Sequence, residues 1–301
     1  MALNVEQWLQ ENTWDLQGKV VVMTGAGGGL GSVTTRYLLQ ANAKIIMLER
    51  DVEKMEAVAQ QLRAEFPTAE IETIQIDFNH LHSVNEVALQ LADRRVDYLI
   101  LNAGVYQVPL VESELGYNNV FQINFIGQYH FVKKMLPVLQ RTKGKVVAVS
   151  SIAMTYGKLD EDDIDYKTRK KADKIYGNSK RFLTFALSEL FKDRDDVTLS
   201  IVHPGVTLTP MTNAKNNGFI NLTMKLLFPK PEVAVLSIVK GVFANIEHDE
   251  WIGPKTAKIW GKPTVAKLPE STAEERAKIF NLAESICKVI DSKTDAKNNL
   301  N

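Results

Sequence analysis

From residue 19 onward, short apolar runs rich in β-branched residues alternate with longer amphipathic stretches. The runs are 19–24 (KVVVMT), 44–49 (KIIMLE), 71–76 (IETIQI), 96–101 (VDYLIL), 145–150 (KVVAVS) and 197–202 (VTLSIV). They lack clean polar–apolar alternation, which predicts strands covered on both faces, as in a parallel sheet. Helical periodicity over 52–65, 83–93, 117–139 and 176–192 supplies the covering layers. Strand–helix alternation of this kind predicts right-handed crossovers and one doubly wound α/β domain over 19–290, with about seven parallel strands. Residues 1–18 hold Trp8 and Trp14 as anchors of a short lead-in, and the polar residues 291–301 read as a frayed tail.

Composition narrows the class of function. In 301 residues, 45% hydrophobic and 24% charged is a globular mix, so a largely disordered chain is excluded. Lys+Arg and Asp+Glu are both 36, and a protein devoted to nucleic acid or anionic membrane carries a basic surplus that this chain lacks. The single cysteine, Cys287, has no internal disulfide partner, and no His/Cys cluster suggests a metal. No signal-peptide pattern opens the chain and no apolar run is long enough for a membrane span, so a cytoplasmic protein is expected.

Directly after the first strand comes TGAGGGLG, containing Thr24, Gly25, Gly29, Leu30 and Gly31, and a helical pattern follows. Glycines let the backbone turn sharply and approach a pyrophosphate, and the next helix directs its unpaired N–H groups at the phosphates. The strand–loop–helix context is what separates a dinucleotide site from an ordinary glycine turn. Glu49 ends the second strand, 18 residues beyond Gly31, near the offset at which a carboxylate bonds the adenine ribose. A solvated strand-end charge is the alternative. Asp77, followed by Phe78, either borders the adenine pocket or serves a local turn.

Tyrosine and lysine four apart share one helix face. An ammonium beside a phenol favours the phenolate and lowers a pKa of about 10 by roughly 2–3 pH units, which makes a usable general acid/base. Two such pairs occur, Tyr166/Lys170 and Tyr176/Lys180. Residues 160–175 are dominated by charge and read as a solvated insertion. Beyond Tyr176, the residues Phe182, Leu183, Phe185, Ala186, Leu187, Leu190 and Phe191 continue a buried helix toward the next strand. Gly177, Asn178 and Ser179 are small enough to let a cofactor lie close. The second pair is therefore preferred. Ser151 at a strand end is either a cap or a hydrogen-bond donor to substrate, and Asn124 is either a core amide or a functional one.

Together these features resemble the short-chain dehydrogenase/reductase superfamily: TGAGGGLG at 24–31, Asp77, LNAG at 101–104, Asn124, VSS at 149–151, YGNSK at 176–180 and HPGVTLT at 203–209. The resemblance covers roughly residues 17–290, and the extra residues between Ser151 and Tyr176 are similar to the retinol-dehydrogenase-like subgroup. It implies a Rossmann-type fold and a catalytic tetrad of Asn124, Ser151, Tyr176 and Lys180. Tyr176 would transfer the proton, Ser151 polarise the carbonyl, Lys180 depress the tyrosine pKa and bond the nicotinamide ribose, and Asn124 hold a relay water. Asn102, Ala103 and Gly104 would line the coenzyme, although Leu101 departs from the frequent NNAG. Pro204, Gly205, Val206 and Thr209 would hold the carboxamide, and 207–232 would form a substrate lid. Its apolar residues Phe219, Ile220, Leu222, Met224, Leu227 and Phe228 suit either a lipophilic substrate or packing.

The expected reaction moves a hydride between a nicotinamide coenzyme and a small-molecule carbonyl or alcohol. NAD(H) is favoured because Glu49 repels a 2′-phosphate, while Arg50 leaves NADP(H) possible. A coenzyme-binding regulator without turnover and an epimerase are the alternatives. The first should lack the Tyr–Lys pair; the second usually spaces its glycines differently. Family habit implies a homodimer or homotetramer through 117–139 and 176–192.

Overall fold

The computed structural model of the chain describes residues 3–206 and 228–298. The Asn4 side chain accepts the Gln7 N–H and opens helix α1 (Val5–Asn12), which buries Trp8. A single sheet follows, made of β1 (Val20–Thr24), β2 (Lys44–Glu49), β3 (Ile71–Gln75), β4 (Tyr98–Leu101), β5 (Lys145–Val149), β6 (Thr198–Val202), β7 (Glu250–Thr256) and β8 (Trp260–Lys267). Their spatial order is β3-β2-β1-β4-β5-β6-β7-β8. The order reverses between β1 and β4, and in a doubly wound sheet a crevice opens at that point, outside the strand carboxyl ends.

Neighbouring strands run parallel from β3 through β7. Alternate side chains enter opposite cores. Val22, Leu48, Leu99, Leu101, Val146 and Ala148 pack on one face, and Val21, Met23, Met47, Ile100, Val147 and Val149 on the other. Both faces are dry, which is why these runs show no polar alternation. The eighth strand exceeds the expected seven and lies antiparallel to β7. Lys262, Pro263 and Lys267 break its apolar pattern, as suits a sheet edge.

The crossovers are α2 (Gly29–Gln40), α3 (Val52–Glu65), α4 (Leu81–Gln90), a composite α5 and α6 (Ala172–Phe191). Helix α5 joins Asn119–Phe121, a π-helical turn at Gln122–Ile126 and Gly127–Thr142. After the last described strand-end residues of β6, the chain is described again from Phe228, through the turn Pro231–Ala234 to α7 (Leu236–Phe243) and finally α8 (Ala273–Asn298). Most of the expected lid, residues 207–227, including Phe219, Ile220, Leu222, Met224 and Leu227, lies outside the described residues. Among the described residues, no helix is long and apolar enough to cross a membrane.

The structure corrects two expectations about polar segments. Residues 291–298 are not a frayed tail but the last turns of α8. Ile279, Ala283, Ile286, Cys287 and Ile290 form a buried stripe, and polar partners extend the docking beyond it. Lys134 pairs with Asp291 at 2.7 Å, and the Asn85 amide donates to the Thr294 hydroxyl at 3.1 Å. The insertion is not simply solvated either. Asp165 accepts the Asn118 N–H at 2.5 Å, Asp163 accepts the Thr168 hydroxyl at 2.5 Å, and Asn178 donates to the Ile164 carbonyl at 2.8 Å. Asp163 and Asp165 are buried on these donors, so the middle of the charged segment docks while 161–162 and 167–171 stay exposed.

Tyr166 is the anchor of that insertion. It is buried with Val120 and Ile175, it has a positive φ of 60°, and the Arg169 guanidinium lies 4.4 Å from its ring centre. Its hydroxyl donates to the Lys158 carbonyl at 2.6 Å and accepts the Lys158 N–H at 2.9 Å. Removing that hydroxyl strands two backbone groups. Tyr166→Phe is expected to cost about 1–3 kcal/mol in urea unfolding while leaving coenzyme affinity unchanged. Wild-type stability in the variant would contradict the anchoring role.

Candidate active site

The glycine loop is held by its neighbour across the sheet. The Thr24 hydroxyl accepts the N–H groups of Asn102 and Ala103, each at 3.0 Å. The Asn102 amide donates back to the carbonyls of Thr24 and Gly25 at 3.2 and 2.9 Å. Side chains are excluded here for steric reasons. At Gly31 a Cβ would stand 2.0 Å from the Gly25 carbonyl oxygen, and at Gly25 (φ +64°) 2.8 Å from the Ala103 Cα. Gly28 precedes α2 with no side-chain cap, and Gly29, Leu30 and Gly31 form the helix's first turn. An uncapped helix start behind a close-packed glycine turn fits a dinucleotide pyrophosphate.

Glu49 and Arg50 sit at the end of β2. The Glu49 side chain reaches toward the loop, its Cγ 3.6 Å from where a Cβ on Gly27 would lie, and its carboxylate accepts the Arg50 N–H at 3.0 Å. Arg50 is exposed. Asp77 serves a local turn: it accepts the Asn79 N–H at 2.9 Å, and its own N–H donates to the Ser83 hydroxyl at 3.1 Å. The turn therefore accounts for one carboxylate oxygen. Phe78 is buried, and its carbonyl would lie 2.9 Å from a Cβ at Gly127.

Tyr176 and Lys180 lie one turn apart on α6, with Ser151 hydrogen-bonded to Tyr176 and also capping the 3-10 turn Ile152–Tyr156. Of the two roles open to a strand-end serine, the cap is the one formed here. The Lys180 ammonium donates to the Val149 carbonyl at 2.8 Å and stands 5.9 Å from the Tyr176 ring centre. A Cβ at Gly104 would lie 3.3 Å from Asn124 Oδ1 and 3.6 Å from Lys180 Nζ. Gly104, Asn124 and Lys180 therefore meet at the strand carboxyl ends.

The acidity of the pair differs from the sequence expectation. Burial pushes the Tyr176 phenol up to about 12, the Ser151 hydrogen bond pulls it down only in part, and nearby Tyr106 raises it further. Burial likewise lowers the Lys180 ammonium to about 8. In the chain alone, desolvation outweighs the expected depression of the phenol by the lysine.

Gly177, Asn178 and Ser179, expected to leave room for a cofactor, are each in contact with other parts of the protein. They turn away from the 176/180 face: a Cβ at Gly177 would meet the Ala153 carbonyl at 2.2 Å, and Ser179 donates to the Tyr176 carbonyl at 2.7 Å. The Asn124 amide donates to Ser179 Oγ at 3.1 Å and to the Val105 carbonyl at 3.0 Å, while its oxygen accepts the Val105 N–H at 2.8 Å. This side chain is a satisfied core amide. Gln128, which the sequence did not single out, donates to the carbonyls of Ala103, Ile123 and Asn124. Its place four residues after Asn124 on the same buried face was the available signal.

Tyr106 also escaped notice; its ring meets that of Tyr176 at 5.3 Å, nearly edge-on, and only its nearness to LNAG hinted at a site role. Pro204, Gly205 and Val206 follow β6, with Gly205 at φ +79°, where a Cβ would meet the Ile259 carbonyl at 2.9 Å. Before them, buried His203 stacks on Trp251 at 4.0 Å and is held neutral, pulled down to about 4 chiefly by burial and further by Lys258. Thr209 lies outside the described residues.

The family model for short chain dehydrogenase matches residues 19–218. Human retinol dehydrogenase 13 is 32% identical over 232 residues, covering 73% of this chain and 70% of that protein. Human retinol dehydrogenase 14 is 30% identical over 231 residues, covering 71% and 68%. Among solved structures, an uncharacterized protein from Mycobacterium Paratuberculosis superposes with a TM-score of 0.74 at 25% identity, over 92% of this chain and 96% of that one. A short-chain dehydrogenase from Sphingobium yanoikuyae, solved in complex with NADPH, shares the fold with a TM-score of 0.56 at 20% identity, over 73% and 83%. Because the family match runs from the first strand past the last parallel strand end of the candidate site, this chain belongs to the short chain dehydrogenase family, in which it is retinol-dehydrogenase-like.

Proposed function

We propose that the protein is an oxidoreductase that moves a hydride between a nicotinamide coenzyme and a carbonyl or alcohol, with Tyr176 as general acid/base. The observation that carries this is the convergence of Gly104 and Lys180, one helical turn from a Tyr176 already hydrogen-bonded to Ser151. The close-packed backbone from Gly25 to Gly31 and the open start of α2 suit the pyrophosphate, and Glu49 suits the adenine ribose. Asn102 to Gly104 and Pro204 to Val206 suit the nicotinamide half. When bound, the coenzyme supplies or accepts the hydride.

The protein's own part is to orient the substrate oxygen and manage one proton. Ser151 Oγ and Tyr176 Oη, already hydrogen-bonded to each other, can both address that oxygen. In reduction Tyr176 gives up its proton to the forming alkoxide, and in oxidation the phenolate takes it back. A phenol held near 12 keeps its proton at neutral pH, as a donor requires. The adjacent ammonium stabilises the phenolate left behind. Asn124 acts by fixing the backbone of Val105 and the Ser179 hydroxyl beside the lysine. Retinol dehydrogenases 12, 13 and 14 are named for a lipophilic alcohol, which supports an apolar substrate class here.

NAD(H) is the proposed coenzyme. Glu49 reaches toward the glycine loop, and a 2′-phosphate near it would face a like charge at about 4 kcal/mol per unit pair at 4 Å and an effective dielectric of 20. Rotation of Glu49 and pairing with Arg50 would reduce the penalty to about 1–2 kcal/mol, still close to tenfold. Measured dissociation constants for NADH and NADPH are therefore expected to differ by about tenfold in favour of NADH. Equal or tighter NADPH binding would assign the pocket to Arg50.

Tyr176→Phe is expected to reduce turnover by at least about a thousandfold while leaving NADH affinity within about twofold, since only the proton-transfer hydroxyl is lost. Retained turnover, followed as coenzyme absorbance with a panel of apolar ketones and alcohols, would remove Tyr176 from the chemistry.

The pH dependence follows from the lysine. Below about 8 Lys180 carries its charge and Tyr176 its proton, and above that value the charge is lost first. The kcat for carbonyl reduction is thus expected to be level below about 8 and to fall above it. A rate that stays level well into alkaline solution would argue against the lysine's electrostatic role.

A further inference from the structure

Two amide side chains of α5, Asn124 and Gln128, are fully buried and directed at the loop that follows β4. The Gln128 amide nitrogen donates to the Ala103 carbonyl at 2.9 Å and to the carbonyls of Ile123 and Asn124, each at 3.2 Å. Three acceptors around one nitrogen fix which end of the amide faces them, because the opposite orientation would set oxygen against oxygen. The Gln128 oxygen has no partner among the described residues. A buried amide that leaves its acceptor unused is held in place by its donors.

The loop is consequently gripped at alternate residues. Ala103 is held from both sides, its carbonyl by Gln128 and its N–H by the Thr24 hydroxyl at 3.0 Å. Val105 is held through both backbone groups by the Asn124 amide, at 2.8 and 3.0 Å. Gly104, between them, is half-buried, and neither its N–H nor its carbonyl is hydrogen-bonded among the described residues. A Cβ there would lie 3.6 Å from the Lys180 ammonium. The grip has a firm base. Directly after Gln128, the Tyr129 hydroxyl donates to Glu284 of α8 at 2.7 Å, and His130 shares a 2.7 Å hydrogen bond with Asn85 of α4. These contacts anchor α5 away from the crevice, so the amide does not follow the loop if the loop moves.

We infer that Gln128 is a positioning residue for the coenzyme: with Asn124 it sets Ala103 and Val105 so that the free backbone groups of Gly104 are already in place when the nicotinamide half binds. This rests on the reading of the crevice as a coenzyme site. Gln128 is itself closed off from solvent, so it acts only through the Ala103 peptide. A loop ordered before binding loses no freedom when the ligand arrives, and that saving appears as affinity.

Gln128→Met keeps the length of the side chain and leaves the Ala103 carbonyl without its donor. The probe is whichever of NADH and NADPH the wild-type full chain binds more tightly. By fluorescence titration the variant is expected to bind it about tenfold more weakly, with the coenzyme KM raised by a similar factor. The kcat at saturating coenzyme is expected to stay within about threefold, because Ser151, Tyr176 and Lys180 are untouched. A lowered urea midpoint with coenzyme affinity within about twofold of wild type would show a purely structural amide and overturn the inference. Hydrogen exchange followed by NMR on the wild-type chain gives a decision that needs no variant. Without coenzyme, the N–H groups of Ala103 and Val105 are expected to exchange at least about a hundredfold more slowly than that of Gly104, and saturating coenzyme is expected to slow Gly104. Equal exchange at the three residues, or a Gly104 that coenzyme leaves unchanged, would also overturn it. A wild-type chain that binds neither NADH nor NADPH would remove the coenzyme reading itself, and the inference with it.

Discussion

Lys180 is an ammonium enclosed almost completely by the protein, and it donates to the carbonyl that ends β5. Burial without a carboxylate is costly, and the fall to about 8 expresses that cost. An isolated buried cation stays in place only if its backbone cannot relax toward water. Much of the surrounding architecture serves that requirement. The parallel pairing of β4 with β5 carries Gly104 and Val149 to the same end of the sheet, and α6 is buried from Gly177 to Ser188, so its third turn has nowhere to go.

A helix enclosed in this way needs its own polar groups answered. Asn178 reaches the insertion, Ser179 reaches Asn124, and Arg181 reaches Glu275, so three consecutive flanks of α6 end in hydrogen bonds to different segments. This explains why polar residues sit at positions that a simple apolar stripe would fill with leucine. Buried polar networks specify one arrangement more sharply than apolar packing does, because each misplaced group loses its partner.

The sheet and the glycine loop are legible in the sequence because their causes are local. Valine and isoleucine runs mark strands buried on both sides, and only glycine fits where Gly31 meets the Gly25 carbonyl. Helix periodicity puts Tyr176 and Lys180 on one face, and the apolar run beyond them separates this pair from Tyr166 and Lys170. What escapes is polarity satisfied at long range. Asp163 and Asp165 look solvated until their donors are known, and Asp291 and Thr294 look like a loose end until Lys134 and Asn85 arrive from other helices. The direction of the Tyr176 shift escapes for a related reason. Spacing reveals the neighbouring charge, whereas burial, which outweighs it, belongs to the folded state.

The π-turn at Gln122–Ile126 sets a condition on the ancestry of this helix. Such a turn amounts to one extra residue in a regular helix, absorbed as a local widening. Each residue advances an α-helix by about 100°, so a single deletion within the turn would swing one half of α5 past the other by that angle. Asn124 would then leave the backbone of Val105, or Tyr129 and His130 would leave their partners on α8 and α4. The two halves of α5 answer to different neighbours, and the extra residue lets one continuous helix satisfy both.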